Sequence, residues 1–123
     1  MFDHVSIGVR DISRSKRFYD AVLQPLGLRC LSESADSLGY GKKTVGLWVL
    51  AVAKPVPADS GSGLHLCFVA PDRASVGAFH TAALATGGRD NGAPGLRTDY
   101  DAGYFAAFAL DPDGYRLEAH FAD

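Results

Sequence analysis

Hydrophobic and polar residues alternate in seven short segments of the chain, and this pattern predicts β-strands. In the last of these segments Arg116, Glu118 and His120 lie opposite an apolar row. This strand follows an Asp-Pro-Asp-Gly sequence that is typical of a turn. The predicted strands cover residues 2–9, 28–33, 37–41, 44–52, 64–69, 104–110 and 115–121.

Two other segments carry apolar residues at helical spacing and predict α-helices. The first follows Asp11 or Ser13, either of which can cap it, and it runs to about Leu23. The second opens at residues 71–72 and ends before the glycine pair 87–88. The strands and helices together favour an α+β fold.

The two halves of the chain are related by an internal repeat. After a shift of 61 positions without gaps, six of the 24 positions from His4 to Gly27 are identical, where chance gives about one or two. A segment rich in Pro, Gly and Ser, residues 54–63, has the composition of a linker between the halves. We therefore expect a single domain, residues 1–123, made of two βαβββ modules that form a curved mixed sheet with the helices on its convex face. Module 1 covers residues 1–53 and module 2 covers residues 64–123.

Three chemically suggestive residues fall on the face opposite the apolar rows. His4 and His65 occupy equivalent positions of the repeat, and Glu118 lies on the last strand. Two imidazoles and one carboxylate are a ligand set that suits a divalent first-row metal with open positions. The alternative interpretation is two ordinary strand histidines and an exposed carboxylate.

Composition and charge narrow the class of protein. The chain is 47% hydrophobic and 21% charged, as in globular proteins, and its net charge of −2 gives no basic footprint for nucleic acid. Its longest apolar run, residues 45–53, is too short to span a bilayer, and we see no signal peptide. Cys30 and Cys67 do not make a disulfide framework and fit a cytoplasmic protein.

With these residues in this order, the chain resembles the vicinal oxygen chelate superfamily. This superfamily includes glyoxalase I, extradiol ring-cleaving dioxygenases, fosfomycin-modifying enzymes and bleomycin-binding proteins. The resemblance implies that His4, His65 and Glu118 hold one divalent metal ion, such as Zn, Ni, Mn or Fe. It rests on Asp3-His4-Val5, Phe18-Tyr19, Leu64-His65-Leu66, and Asp111-Pro112-Asp113-Gly114 followed by Leu117-Glu118.

The sequence departs from some branches of that superfamily. Glyoxalase I enzymes carry another carboxylate ligand where the repeat places Trp48, which offers only an N–H donor. Fosfomycin enzymes place an anion-binding arginine beyond the residue that matches Glu118, and no arginine follows it here. The ring-cleaving dioxygenases add a histidine and a tyrosine behind the ligands, and the sequence alone does not assign these.

The resemblance implies a metal-dependent reaction on a small substrate that binds through two neighbouring oxygens. We expect glyoxalase-like lyase or isomerase chemistry, in which Glu118 is the catalytic group that also moves a proton. The alternatives are Fe(II)-dependent ring cleavage of a catechol-like substrate, and a non-catalytic drug-binding protein of the bleomycin resistance type.

Five further residues are candidates for contact with the substrate. Each has another interpretation: the aromatic residues suit a core, the histidine suits a sheet edge, the arginine suits a solvated loop, and the thiol has only its position in its favour. The candidates are Trp48, Cys67, Tyr104, His120 and Arg97.

We expect a homodimer, because each module alone presents an open sheet edge. By the resemblance, small members of the superfamily are dimers whose sites combine the first half of one chain with the second half of its partner. We therefore favour His4 of one chain meeting His65 and Glu118 of another, while the linker also permits a site within one chain.

Overall fold

A computed structural model describes residues 1–59 and 61–123, so that Ser60 in the predicted linker lies outside the described residues. Within these described residues, eight strands and two α-helices follow one another in the order that the repeat predicts. They are β1 (Val5–Val9), α1 (Ile12–Leu23), a short 3₁₀-helix (Gln24–Leu26), β2 (Arg29–Glu33), β3 (Ser37–Gly41), β4 (Val45–Ala51), β5 (His65–Val69), α2 (Arg73–Ala85), β6 (Arg89–Leu96), β7 (Tyr104–Leu110) and β8 (Arg116–Ala122).

The strands form two four-stranded mixed sheets of identical topology. The first has the order β1-β4-β3-β2 and the second the order β5-β8-β7-β6. In each sheet the first and last strands of the module pair in parallel, and the other neighbours are antiparallel. The predicted fold of two βαβββ modules is therefore confirmed.

The register of the two sheets confirms the equivalence that the repeat assigns to Trp48 and Glu118. Trp48 on β4 pairs with Ser6 on β1. Glu118 on β8 pairs with Cys67 on β5, and a shift of 61 positions takes Ser6 to Cys67. The indole and the carboxylate thus occupy the same place in their respective modules.

Aspartate caps both helices at equivalent positions of the repeat. The Asp11 side chain accepts a hydrogen bond from the Arg14 amide at the start of α1, and Asp72 accepts one from the Ser75 amide at the start of α2. These hydrogen bonds satisfy amides that have no partner within the helix. Neither helix, nor any other in the described residues, is long and apolar enough to cross a membrane.

One hydrophobic core runs through both modules. Helices α1 and α2 pack on each other, and aromatic rings from both, Phe18 and Phe79, are fully buried. The inward rows of the sheets, such as Leu38 and Leu117, complete the same cluster. Because the helices cover one face of each sheet, the opposite face is not covered by helices and can carry a binding site.

The turn before β8 ties the two modules together. The Asp111 carboxylate accepts hydrogen bonds from the amides of Asp113 and Tyr115, and its other oxygen accepts one from the Tyr19 hydroxyl on α1. Gly114 supplies the positive φ of 94° that the turn requires. The Tyr115 hydroxyl donates to the Gly8 carbonyl of β1 across 2.6 Å. The Asp-Pro-Asp-Gly sequence is therefore a structural junction.

Strand β6 occupies a glycine-rich stretch, residues 89–97, for which the local sequence predicted no strand. The strand survives there because it is an edge strand, and its register shifts at two bulges, between Asp90 and Gly92 and between Gly92 and Gly95. Gly92 has a φ of 149°, and a Cβ atom at this position would approach the Phe108 ring to 2.9 Å. The glycines thus let β6 lie close against β7.

Candidate functional site

Polar residues lie on the open face of the second sheet, as the alternation of the strands predicted. Strand register places directly paired residues on the same face, so these side chains form rows across the sheet. One row contains His65, Arg116 and Leu110, and the next contains Cys67, Glu118 and Phe108.

Glu118 is the centre of this face. Its side chain is only 3% exposed, although it carries a carboxylate. The His65 Nε2 atom lies 2.7 Å from Glu118 Oε1, and the Tyr104 hydroxyl donates to Glu118 Oε2 across 2.6 Å. A buried carboxylate needs such partners, because desolvation without them is costly. Both oxygens of Glu118 are therefore held in place.

Two neighbouring acids are held in their neutral forms. Burial, followed by the negative charge of Glu118, raises the pKa of the Cys67 thiol to about 12. Burial and the hydrogen bond to Glu118 also raise the pKa of the Tyr104 hydroxyl. Cys67 is exposed as a residue, and it pairs directly with Glu118 across β5 and β8. Near neutral pH both groups keep their protons.

His120 lies against the tyrosine that bonds to Glu118. The rings of Tyr104 and His120 stack with centroids 3.7 Å apart and an interplanar angle of 20°. Within the described residues, the buried Nε2 atom of His120 has no hydrogen-bond partner. His120 therefore lies directly behind the Glu118 cluster, as the alternation of the last strand suggested.

Phe108 forms the apolar part of the site face. The His65 ring stacks near it, with centroids 6.2 Å apart. The Arg97 guanidinium lies 5.3 Å from the Phe108 ring centroid, and its Nη2 donates to the Ala93 carbonyl across 2.6 Å. Arg97 is thus half-buried and bound to the adjacent strand β6, and its guanidinium covers part of the Phe108 ring.

His4 is the predicted ligand that does not join the others within the chain. It lies just before β1 rather than in it, is exposed, and places Nδ1 2.7 Å from Asp3 Oδ2. Among residues 1–59 and 61–123, no three His, Cys, Asp or Glu side chains are grouped so that they could hold a metal ion. Of the three predicted ligands, the described residues of one chain bring together only His65 and Glu118.

Trp48 contributes no ligand at the position equivalent to Glu118. Its ring covers Gly39 on β3, where an added Cβ would come within 2.8 Å of the indole. The first sheet therefore presents an aromatic surface where the second presents a carboxylate. The sequence predicted this difference through the repeat.

Other residues of the site face were missed from the sequence. Arg116 shares the face of Glu118 in the alternation of β8, a signal that was available but assigned no role. Phe108 lay in the predicted strand 104–110 without an assigned role, and Asn91 lay in the glycine-rich stretch, residues 89–97, that predicted no strand. Asn91, Phe108 and Arg116 line a cavity of about 340 Å³ together with Gly63, His65 and Tyr100.

Comparisons with known proteins agree with the fold. The family model described as Glyoxalase/Bleomycin resistance protein/Dioxygenase superfamily matches residues 1–119. The comparison with curated proteins found no match. Among solved structures, a glyoxalase/bleomycin resistance protein from Albidiferax ferrireducens T118 is 32% identical, with a TM-score of 0.86 and 98% of each chain covered.

Two more distant structures share the fold. The fosfomycin resistance protein FosX from Mesorhizobium loti is 18% identical, with a TM-score of 0.72 over 100% of this chain and 92% of that one. A V278E mutant of glyoxalase I from Zea mays is 22% identical, with a TM-score of 0.72 over 95% of this chain and 44% of that one. At such identities the likeness concerns the fold alone.

Proposed function

Because the chain belongs to the glyoxalase/bleomycin resistance protein/dioxygenase superfamily, we propose that it is a metal-dependent lyase or isomerase of the glyoxalase type. Its substrate is a small molecule that offers two neighbouring oxygens. The observation that carries the proposal is the buried Glu118 carboxylate, held between His65 and Tyr104 on the open face of a sheet.

The donor set of the site fits a divalent first-row metal. His65 and Glu118 already converge at 2.7 Å and supply one nitrogen and one carboxylate oxygen, and His4 is the proposed third ligand. When bound, such a metal supplies Lewis-acid stabilisation of negative charge on the substrate oxygens. The hydroxyl of Tyr104 orients Glu118 from behind, the kind of support that metal-binding carboxylates commonly receive.

The residues of the chain supply the proton chemistry. Glu118 accepts a proton from one substrate carbon at a carboxylate oxygen and returns it to the neighbouring carbon. Tyr104 keeps its own proton, since its raised pKa holds the hydroxyl neutral, and so it continues to hold Oε2 during the transfer.

A second copy of the chain is the proposed source of His4. Strands β1 and β5 end their respective sheets, and Val69 on β5 is 79% exposed on the site face. Within the chain the modules meet through α1 and α2 and through the turn before β8. Open edges are usually paired or covered in native proteins. A homodimer that places the first sheet of one copy against the second sheet of the other would cover both edges.

A specific observation also favours a second candidate function, Fe(II)-dependent ring cleavage. The stacked pair Tyr104 and His120 lies immediately behind Glu118, and a histidine and a tyrosine behind the ligands were the features that the sequence alone did not assign. Oxygen uptake by protein loaded with Fe(II) under anaerobic conditions, then exposed to oxygen and catechols, would favour this candidate over the lyase.

Metal analysis is the direct test of the proposal. We expect about one divalent ion per chain in protein purified without chelator, and loss of that ion in His4→Ala, His65→Ala and Glu118→Gln. The matched control Glu33→Gln alters an exposed carboxylate on β2 and should retain the metal. Full metal content in the His65 and Glu118 variants would overturn the proposal, and a folded wild type without metal affinity would favour a non-catalytic binding protein.

The two free cysteines fit a reducing, cytoplasmic location.

A further inference from the structure

An arginine lies beside the Glu118 cluster and has no role in it. Arg116 is directly paired with His65 and lies two residues before Glu118 on the same face of β8. Within the described residues its guanidinium makes neither an ion pair nor a side-chain hydrogen bond, whereas Arg14, Arg73 and Arg97 are all engaged. A half-buried cation with five free donors is prepared to bind an anion.

The surroundings of Arg116 reinforce its positive charge. Arg89 lies in the same row of the sheet, with Leu110 between the two arginines. Their Cα atoms are about 10 Å apart, since each step between strands is about 4.8 Å. A second cavity of about 150 Å³ is lined by both arginines and by Asn91. The two cavities adjoin at Asn91 and Arg116, which line both, and the larger one also reaches His65; together they are called the subsite below.

No carboxylate of the described residues lines either cavity. The nearest acid along β8 is Glu118, and its two oxygens are already bonded to His65 and Tyr104. The remaining walls of the larger cavity include the rings of Phe108 and Tyr100. The subsite therefore combines unpaired donors with flat apolar surfaces.

We propose that this subsite binds an anionic oxygen group, a carboxylate or a phosphoryl group, carried by a substrate with a planar apolar body. Arg116 and Asn91 hold the anion, Arg89 adds charge at the outer end, and the planar body lies against Phe108. That the remaining oxygens of the same molecule reach His65 and Glu118 rests on the proposed function, whereas the anion subsite itself does not require a metal.

Titration of the metal-free protein with benzoate and phenyl phosphate tests the subsite. Both probes have the same ring, so their relative affinities distinguish a carboxylate from a phosphoryl group, and neutral benzamide reports the contribution of the ring alone. Nitrogen-15 chemical shifts should move at His65, Asn91 and Arg116. We expect Arg116→Gln to weaken binding of the preferred anion by about tenfold or more, since it removes charged hydrogen bonds.

The matched control is Arg29→Gln, which removes the same charge from an exposed position on β2. It should leave anion binding unchanged, and Arg89→Gln should weaken it by less than Arg116→Gln. Equal effects of Arg116→Gln and Arg29→Gln, or benzamide binding as well as both anions, would overturn the inference. Because these titrations use metal-free protein, loss of the metal site alone leaves them intact, and loss of anion binding with normal metal content refutes the subsite alone.

Discussion

Tyr19 on α1 donates its hydroxyl hydrogen to Asp111 across 2.5 Å, and this hydrogen bond joins two positions 92 residues apart in the chain. Both residues are buried: Tyr19 is 0% exposed and Asp111 is 2% exposed. Burial raises the pKa of Asp111, and the hydrogen bond from Tyr19 opposes that rise. The contact therefore stabilises the charged form of a carboxylate in the junction between the modules.

Tyr19→Phe should lower the free energy of unfolding at pH 7 by about 1–3 kcal/mol, because a buried acceptor loses its donor. Chemical denaturation of wild type and variant measures the difference. Tyr100→Phe is the control, since Tyr100 is 65% exposed and its removal should cost little.

The same substitution should change how stability depends on pH. Loss of the Tyr19 hydrogen bond raises the pKa of Asp111 further above its ordinary value. A carboxyl group with a raised folded-state pKa stabilises the fold below its unfolded pKa, and that stability is lost as pH rises through the folded pKa. The deficit of Tyr19→Phe should thus be smaller at pH 4 than at pH 7. A deficit that is equal at both values would show that the charge of Asp111 is not involved.

His80→Phe should raise the pKa of Asp90. His80 lies on α2 with Nε2 2.8 Å from Asp90 Oδ1, and this hydrogen bond, followed by the one from the Gly92 amide, lowers the pKa of Asp90. The stability that the pair contributes is present above the ordinary pKa of aspartate and is lost as pH falls through the lowered value. Carbon-13 titration of the carboxyl groups measures the shift. Asp72, whose pKa is lowered by Ser75 instead, is the internal control and should not move.

Trp48→Glu should tighten metal binding, by about tenfold, since it places a carboxylate at the position equivalent to Glu118. Trp48→Gln removes the same indole without adding a charged ligand and is the matched control. Titration with a divalent ion compares the two variants. Equal affinities in two folded variants would mean that position 48 does not face the metal.

Mixing His4→Ala protein with Glu118→Ala protein should partly restore metal binding. If sites are shared between copies, one site of the mixed dimer collects both substitutions and the other collects neither. Native mass spectrometry confirms that subunits have exchanged. Absence of recovery in confirmed mixed dimers would show that each chain builds its site alone.

The fold was largely predictable from the sequence because two independent signals agreed. Alternation and helical spacing gave the elements, and the repeat supplied the eighth strand that local pattern did not. The failure at β6 is physical: glycine and proline weaken a strand on their own. Contacts with β7 and with α2, including the hydrogen bond between His80 and Asp90, hold residues 89–96 in place.

The candidate site was predictable only as far as the repeat reached. The repeat equated Trp48 with Glu118, which the strand register confirms, and together with the alternation of β5 and β8 it placed His65 on the face of Glu118. It did not find the bond from Tyr104 to Glu118, because a tyrosine 14 residues away reaches that carboxylate only through the pairing of β7 with β8. Contacts between side chains on different strands depend on three-dimensional packing and produce no periodic pattern in the sequence.

The contacts at residues 111–114 join the two modules without the help of the linker between them. Of the described linker residues, nearly all are exposed, whereas the buried contacts between the modules come from α1, α2 and the Asp111 turn. Cutting the chain within the linker would leave these contacts intact. We therefore expect residues 1–53 and 64–123, produced as separate chains, to associate as complementary fragments.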